Sequence, residues 1–142
     1  EIVIKRNENG RPCVINSDID FSISHSGGFV MCGAVKGGRI GCDIQAEKNF
    51  SSGKADSLAP RFMNEKELEL YGTAEDKSAF LFSAWAKKEA YIKCAGGSVW
   101  NDLRALPCEK LPCRKIERGG KRAFYAVCIG EERADKTARY GF

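Results

Sequence analysis

The chain has 142 residues, a formal net charge of +4, 43% apolar residues and 30% charged residues. This length fits one domain with one packed core, and the composition excludes a disordered protein. No apolar run approaches the roughly 20 residues that a membrane-spanning helix needs, and the modest charge lacks the dense basic stripe of proteins that bind duplex nucleic acid. We therefore expect a globular protein whose ligand is a phosphorylated small molecule or an acidic protein.

The first 45 residues have the alternation and the turn residues of β-strands. Strands are predicted at 1–6, 21–26, 28–35 and 36–45. The glycine pairs at 27–28 and 37–38 mark turns between these strands, because glycine adopts the positive φ angles that tight turns require.

Helical composition follows from about residue 55. One helix is predicted at 64–72, and a long helix at 76–97 ends at the glycine pair 96–97. Strands are then predicted at 112–118, 122–131 and 136–142, with a hairpin signal at 119–120. The order of strands, helices and strands predicts an α+β fold with an antiparallel sheet packed on the long helix.

Seven cysteines lie mostly in apolar stretches of the sequence. Their number is odd, and the closest pair, Cys108 and Cys113, has neither a second pair nor a histidine nearby. Disulfides use cysteines in pairs, and zinc-thiolate sites usually need closely spaced pairs of cysteines or histidines. We therefore expect reduced thiols that pack in the core of a cytoplasmic protein.

The long helix carries a glutamate on the face that should be buried. At about 100° per residue, Glu89 falls within the apolar arc that includes Trp85, while Lys88 and Lys93 border that arc. A buried carboxylate is costly unless it is paired, hydrogen-bonded or bound to a cation, which makes Glu89 a candidate functional residue. The alternative is a surface ion pair between Glu89 and Lys93, four residues apart.

A second group of oxygen ligands lies in the segment G-C-D-I-Q at 41–45. In an extended strand Asp43 and Gln45 point to the same face. Together with a glutamate from a helix, these side chains would suit Mg²⁺, which prefers oxygen ligands and usually bridges to phosphates. The alternative is an ordinary solvent-exposed strand face.

The segment S-H-S-G-G at 24–28 contains the only histidine of the chain. A serine hydrolase would have to use His25 as its base, but Ser24 and Ser26 point away from His25 on a strand, and the motif G-x-S-x-G is absent. Two interpretations remain: a phosphate site built from hydroxyls, an imidazole and turn amides, or a structural turn histidine.

Five motifs occur in one order along the chain. They are G-R-P at 10–12, F-S-I-S-H-S-G-G at 21–28, G-C-D-I-Q at 41–45, R-F-M-N-E-K-E at 61–67 and W-A-K-K-E-A-Y-I-K at 85–93. This series resembles the Sfp-type 4′-phosphopantetheinyl transferases, whose pattern is G-K-P, S-H-S, G-I-D-I-E, F-F-x-x-x-E and W-x-x-K-E-[AS]-[FY]-x-K. A single motif of this kind would mean little, whereas five in sequence are hard to obtain by chance.

The resemblance implies a 4′-phosphopantetheinyl transferase fold and a specific reaction. Such enzymes use Mg²⁺ and coenzyme A, and they transfer the phosphopantetheine arm to a serine of an acyl or peptidyl carrier protein, which releases adenosine 3′,5′-bisphosphate. The alternative is a fragment that binds coenzyme A with little or no turnover. The cysteines, the modest charge and the lack of a long apolar run predict a cytoplasmic enzyme without nucleic-acid or membrane partners, and the oligomeric state stays open.

The resemblance also assigns roles to individual residues. It makes Asp43, Gln45 and Glu89 the metal ligands, with Lys93 near the reacting pyrophosphate. It makes Arg11, Ser24, His25, Lys88 and Lys93 contacts of coenzyme A. The carrier serine needs a proton acceptor, for which Glu89 is the first choice and Glu67 the second.

Two departures from the family pattern are visible in the sequence. Gln45 replaces the second acid of G-I-D-I-E, and the lost negative charge predicts weaker metal binding. The chain also begins shortly before G-R-P, whereas Sfp-type enzymes usually have two similar α+β halves. We therefore expect a single domain over 1–142, in which about 1–40 is the remainder of a shortened N-terminal half and about 41–142 is the C-terminal half.

Overall fold

In the computed structural model, the described residues are 1–7, 9–50, 53–96 and 103–131. Five strands come first: β1 Ile4–Arg6, β2 Pro12–Val14, β3 Ile19–Ser26, β4 Phe29–Lys36 and β5 Gly38–Ala46. Of these, β3 and β4 form a hairpin. Helices occupy the middle: α1 Lys54–Leu58, a 3₁₀ turn Ala59–Arg61, α2 Glu65–Thr73, α3 Lys77–Cys94 and a 3₁₀ turn Leu103–Ala105. A hairpin of β6 Cys113–Arg118 and β7 Lys121–Glu131 ends the described part.

The described strands form three antiparallel sheets. β1 pairs with β2, β3 pairs with β4, and the third sheet has the order β5-β7-β6. In this third sheet Asp43 of β5 lies opposite Ala126 of β7. The expected α+β class with an antiparallel sheet is therefore confirmed.

Local sequence explains where α2 and α3 begin. Asn64 and Glu67 form a reciprocal capping box at the start of α2, with the Asn64 side chain accepting from the Glu67 N–H and the Glu67 carboxylate accepting from the Asn64 N–H. The Asp76 carboxylate accepts from the Ala79 N–H and caps α3 in the same way. After α3, Gly96 has a φ of 109°, which only glycine adopts easily.

Helix α3 lies directly against β5 and β7, and Gly41 makes this close approach possible. A Cβ atom at residue 41 would stand 2.0 Å from the carbonyl oxygen of Ala90 and 2.3 Å from the amide nitrogen of Cys94. The absence of a side chain at this residue therefore lets the C-terminal half of α3 pack on β5, two residues before Asp43.

A ladder of side-chain hydrogen bonds joins the β3–β4 hairpin to the edge of β5. Alternate side chains of β3 accept from alternate backbone N–H groups of β5, always twenty residues further along the chain. The pairs are Asp20 with Ile40 (2.9 Å), Ser22 with Cys42 (3.0 Å), Ser24 with Ile44 (3.2 Å) and Ser26 with Ala46 (3.0 Å). An edge that would otherwise expose unpaired N–H groups is thus satisfied.

Most predicted elements are present, with shifted bounds. The strand predicted at 1–6 is shorter, and the short strand β2 was not predicted. The short helix α1 was also missed. The strand predicted at 136–142 lies outside the described residues, and the division of the chain at about residue 40 stays a prediction. No helix in the described ranges is long and apolar enough to cross a membrane.

The ladder predicts a measurable contribution of a buried serine to stability. Ser22→Ala leaves the buried N–H of Cys42 without its acceptor, so the free energy of unfolding should fall by about 1–3 kcal/mol. Chemical denaturation measures this loss. The exposed Ser57→Ala serves as a control, and a loss at Ser22 below about 0.5 kcal/mol would show that the hydrogen bond does not hold the hairpin.

Candidate functional site

Asp43 is buried and is surrounded by hydrogen-bond donors from three elements. Its residue exposure is 2%. Oδ1 accepts from the Ser24 hydroxyl of β3 at 2.8 Å and from the Lys93 ammonium of α3 at 2.7 Å. Oδ2 accepts from the amide of Gln45 at 2.7 Å. These contacts hold a negative charge at the point where β3, β5 and α3 meet.

Glu89 adds a second carboxylate to this place. The side chain is half-buried on α3, and its pKa is raised, first by burial and then by the negative charge of Asp43, while Lys93 acts in the opposite direction. The predicted surface pair between Glu89 and Lys93 is not the main contact of Lys93, which forms its ion pair with Asp43. Asp43, Glu89 and Lys93 therefore form one electrostatically coupled group.

The donor set at this group fits a hard cation. Two carboxylates are present, and Gln45 would add its amide oxygen if its side-chain amide, which donates to Asp43, were reversed. Burial first, and then repulsion by the charge of Asp43, raise the pKa of Glu89. Added positive charge would relieve this repulsion, and oxygen atoms are the ligands that Mg²⁺ prefers. In the part of the chain that is described, no three His, Cys, Asp or Glu residues are grouped for a metal ion, so a site here depends on Gln45, water or substrate oxygens for further ligands.

The alternation along β3 separates Ser24 from His25. Ser24 faces β5 and Asp43, whereas His25 is exposed and lies opposite Val30 on the other face of the hairpin. The sequence analysis predicted this divergence of neighbouring side chains. A role of His25 at the Asp43 group would require contact through the strand, which excludes it as the base for a nucleophile at that group.

Arg11 is held beside the same group by the loop before β2. One guanidinium nitrogen donates to Asp20 at 2.9 Å and to the carbonyl oxygens of Phe21 at 3.0 Å and Ile40 at 2.9 Å. Arg11 lines a groove of about 230 Å³ that is bounded by residues 9–12, by 21–23 of β3 and by Lys93. The predicted nucleotide contact of Arg11 is thus located at a groove that reaches the Asp43 group.

Lys88 and Glu67 are brought together elsewhere. The Lys88 ammonium lies 3.0 Å from Glu67 Oε2 and donates to the carbonyl oxygen of Leu103 at 3.2 Å. The side chains of Lys88 and Glu67 are 2% and 13% exposed. The sequence had assigned these residues separately, and their mutual contact was missed because they lie 21 residues apart.

A second hollow of about 310 Å³ lies beside Gln45. It has Gln45 and Lys48 on its polar side, and its other lining residues are apolar: Phe50, Leu58, Phe62, Leu81, Phe82 and Trp85. The apolar arc of α3 predicts core packing, and the helical period alone does not indicate this hollow. The aromatic residues at 50, 62, 82 and 85 are the sequence feature that could have indicated the hollow. They come together only through the packing of α1 and α3.

Comparison with known proteins identifies relatives. The family described as the 4′-phosphopantetheinyl transferase superfamily matches residues 39–139. Psf-1 of Bacillus pumilus is 33% identical over 102 residues, which cover 70% of this chain and 42% of that protein. Sfp of Bacillus subtilis strain 168 is 32% identical over 122 residues, which cover 84% of this chain and 50% of that protein. Both relatives are described as 4′-phosphopantetheinyl transferases, so the resemblance found in the five motifs is confirmed.

The matched region covers only part of these relatives. The chain spans about half the length of the curated relatives it matches, since gsp of Aneurinibacillus migulanus is likewise covered to 44% at 31% identity over 77% of this chain. Among solved structures, the holo-[acyl-carrier-protein] synthase of Thermotoga maritima matches 70% of this chain and 71% of its own, with 14% identity and a TM-score of 0.47.

The coupled acids predict that Glu89 destabilises the metal-free fold. Because the pKa of Glu89 is raised in the folded protein, folding costs free energy above that pKa, and the cost disappears below the ordinary pKa of a glutamic acid. Glu89→Gln should therefore raise the melting temperature at pH 8 in the presence of a chelator, with little change at pH 4. The exposed Glu75→Gln is the control, and equal shifts at both pH values would contradict the coupling.

Proposed function

Because the chain belongs to the 4′-phosphopantetheinyl transferase superfamily, we propose that it transfers the 4′-phosphopantetheine arm of coenzyme A to a serine of an acyl or peptidyl carrier protein. The serine oxygen forms a bond to the phosphorus that carries the arm, the pyrophosphate bond breaks, and adenosine 3′,5′-bisphosphate leaves. The observation that carries this proposal is the convergence of three charged groups: the buried Asp43 pairs with Lys93, and Glu89 interacts electrostatically with both. Two carboxylates and a lysine suit the transfer of a charged phosphate group.

Asp43, Glu89 and the amide oxygen of Gln45 would hold Mg²⁺. When bound, this cation supplies positive charge next to the nonbridging phosphate oxygens. The Gln45 amide donates to Asp43, so its orientation would have to reverse for its oxygen to become a ligand. The loss of one negative charge at this residue, relative to the family pattern, weakens the affinity of the site for the cation.

Glu89 is the proposed acceptor of the proton of the carrier serine. Glu89 is half-buried and so can be reached from solvent, whereas Asp43 is 2% exposed and accepts hydrogen bonds from Ser24, Gln45 and Lys93. Lys93 is the proposed contact of the reacting pyrophosphate. Its side chain is 28% exposed and its ammonium already adjoins Asp43, so it can bind a phosphate oxygen without leaving the site.

The two hollows beside the acids suit the two ends of coenzyme A. The groove that Arg11 and Lys93 line suits the nucleotide, since it combines cationic and polar groups with the ring of Phe21. The apolar hollow next to Gln45 suits the pantetheine arm. Ser24 orients Asp43, and the outward position of His25 restricts its proposed contact to the ribose phosphate, far from the reacting pyrophosphate.

We propose, as part of the same function, a carrier protein as partner, a cytoplasmic location, and no nucleic-acid or membrane partner. They follow from the expected reaction and from the modest charge of the chain. The relatives extend well beyond the matched region. The first experiment must therefore test whether this chain catalyses the transfer.

Labelling of a carrier protein tests the reaction directly. The chain, Mg²⁺, a fluorescent coenzyme A and an apo carrier protein should give covalently labelled carrier. Glu89→Gln should reduce the labelling rate by about 10²- to 10⁴-fold, since it removes the proton acceptor, while the exposed Glu75→Gln should not. Binding of coenzyme A without label would favour a binding module that lacks turnover.

Restoring the family acid tests the metal site. Gln45→Glu adds a negative charge beside Asp43 and should lower the Mg²⁺ concentration for half-maximal labelling by roughly tenfold. Calorimetric titration of Mg²⁺ into the protein without substrate should show the same direction. An unchanged metal titration in both measurements would place Gln45 outside the metal site.

A further inference from the structure

Lys88 has the largest of the fully buried side chains in the described ranges, with an exposure of 1%. A buried ammonium is stable only where acceptors surround it. Two are present: Glu67 Oε2 at 3.0 Å and the carbonyl oxygen of Leu103 at 3.2 Å. If Lys88 turned to a phosphate of a bound ligand, Glu67 would be left as a mostly buried carboxylate without its cation.

The same carboxylate oxygen also fixes the start of α2. Glu67 Oε2 accepts from the Asn64 N–H at 2.9 Å, as well as from Lys88. One atom therefore connects the first turn of α2 to the middle of α3. A proton acceptor that turned toward a carrier serine would have to release both contacts, which makes Glu67 unsuited to that role.

The segment just before α2 connects this pair to the face of α3 that carries Glu89. Phe62 and Met63 are buried immediately before the capping box, at 2% and 0% exposure. The Phe62 ring meets Trp85 edge-on, with 4.9 Å between ring centroids. Trp85 lies one helical turn before Glu89, on the same side of the helix.

We infer that Lys88 and Glu67 are positioning residues, a buried pair that holds Phe62 against Trp85 on the face of α3 that carries Glu89. This inference rests on the proposed transferase function and refines it: neither residue contacts the transferred phosphate or the carrier serine. The pair acts through the packing of α2 on α3. Removal of one charge disturbs this packing more than removal of both, because it leaves the remaining buried charge unpaired.

Four variants test the inference: Lys88→Met, Glu67→Gln, their combination, and Lys87→Met as a control at the preceding, half-buried residue of α3. Glu67→Gln keeps an acceptor for the Asn64 N–H and removes the charge. For each variant we would measure the melting temperature, the dissociation constant for coenzyme A, and kcat and KM for labelling per folded molecule.

A positioning pair predicts losses that reverse when both charges are removed. Lys88→Met should lower kcat by about 10- to 100-fold, lower the melting temperature and raise the dissociation constant for coenzyme A, because Phe62 and Trp85 line the hollow proposed for the pantetheine arm. The double variant should recover most of all three losses. Lys87→Met should change none of these quantities.

Three results would overturn the inference. A rise in the dissociation constant for coenzyme A that persists in the double variant would assign Lys88 to a phosphate. A kcat that stays low in Glu67→Gln and in the double variant, while Lys88→Met is near normal, would assign Glu67 to proton transfer. A changed melting temperature with normal kcat in every variant would leave the pair a purely structural role.

The proposed function and the inference fail in different ways. If the wild type gives no labelled carrier, the transferase proposal fails. The affinity for coenzyme A and the recovery of stability in the double variant would then still decide whether Lys88 contacts a phosphate or pairs with Glu67. If the wild type labels the carrier, the kcat and KM pattern decides the role of the pair.

Discussion

The fold depends on the hydrogen bonds that side chains of β3 accept from the edge N–H groups of β5. A two-stranded hairpin is marginally stable by itself, and a free strand edge is open to unwanted pairing. The alternating oxygen side chains of β3 address both problems, because they hydrogen-bond the outward N–H groups of β5 through Asp20, Ser22, Ser24 and Ser26. The same arrangement brings the Ser24 hydroxyl to Asp43, so the contact that joins the two sheets also completes the site.

The two neighbouring acids of the site lower the stability of the metal-free fold. Gly41 lets α3 approach β5, and this approach brings Glu89 and Lys93 to a buried aspartate. Two carboxylates then share a poorly solvated place, which raises the pKa of Glu89, and Lys93 compensates only in part. Such a group is an unfavourable way to fill a core and a favourable way to bind a cation and a phosphate, which is why the arrangement indicates function.

Local patterns predicted the parts of the site that lie on one element. The alternation of G-C-D-I-Q placed Asp43 and Gln45 on one face, and the helical period placed Glu89 on the inward face of α3. The same rules could not predict the pairing of Lys88 with Glu67, or of Lys93 with Asp43, because these contacts join segments 21 and 50 residues apart. The segment I-D-F-S-I-S-H-S contains a local signal for the ladder, since its oxygen side chains alternate. The donors lie on β5, twenty residues further along the chain, and the segment itself does not identify them.

The proposed site depends on Asp43 and Glu89 acting as one coupled pair of acids. Nuclear magnetic resonance titration of the ¹³C-labelled side-chain carboxyl groups, in the metal-free protein, measures this coupling. We expect the pKa of Glu89 to lie above the ordinary value for a glutamic acid and to fall part of the way toward it in Asp43→Asn, because burial remains while the neighbouring charge is lost. A pKa of Glu89 that is ordinary in the wild type, or unchanged in Asp43→Asn, would show that the two acids are not coupled.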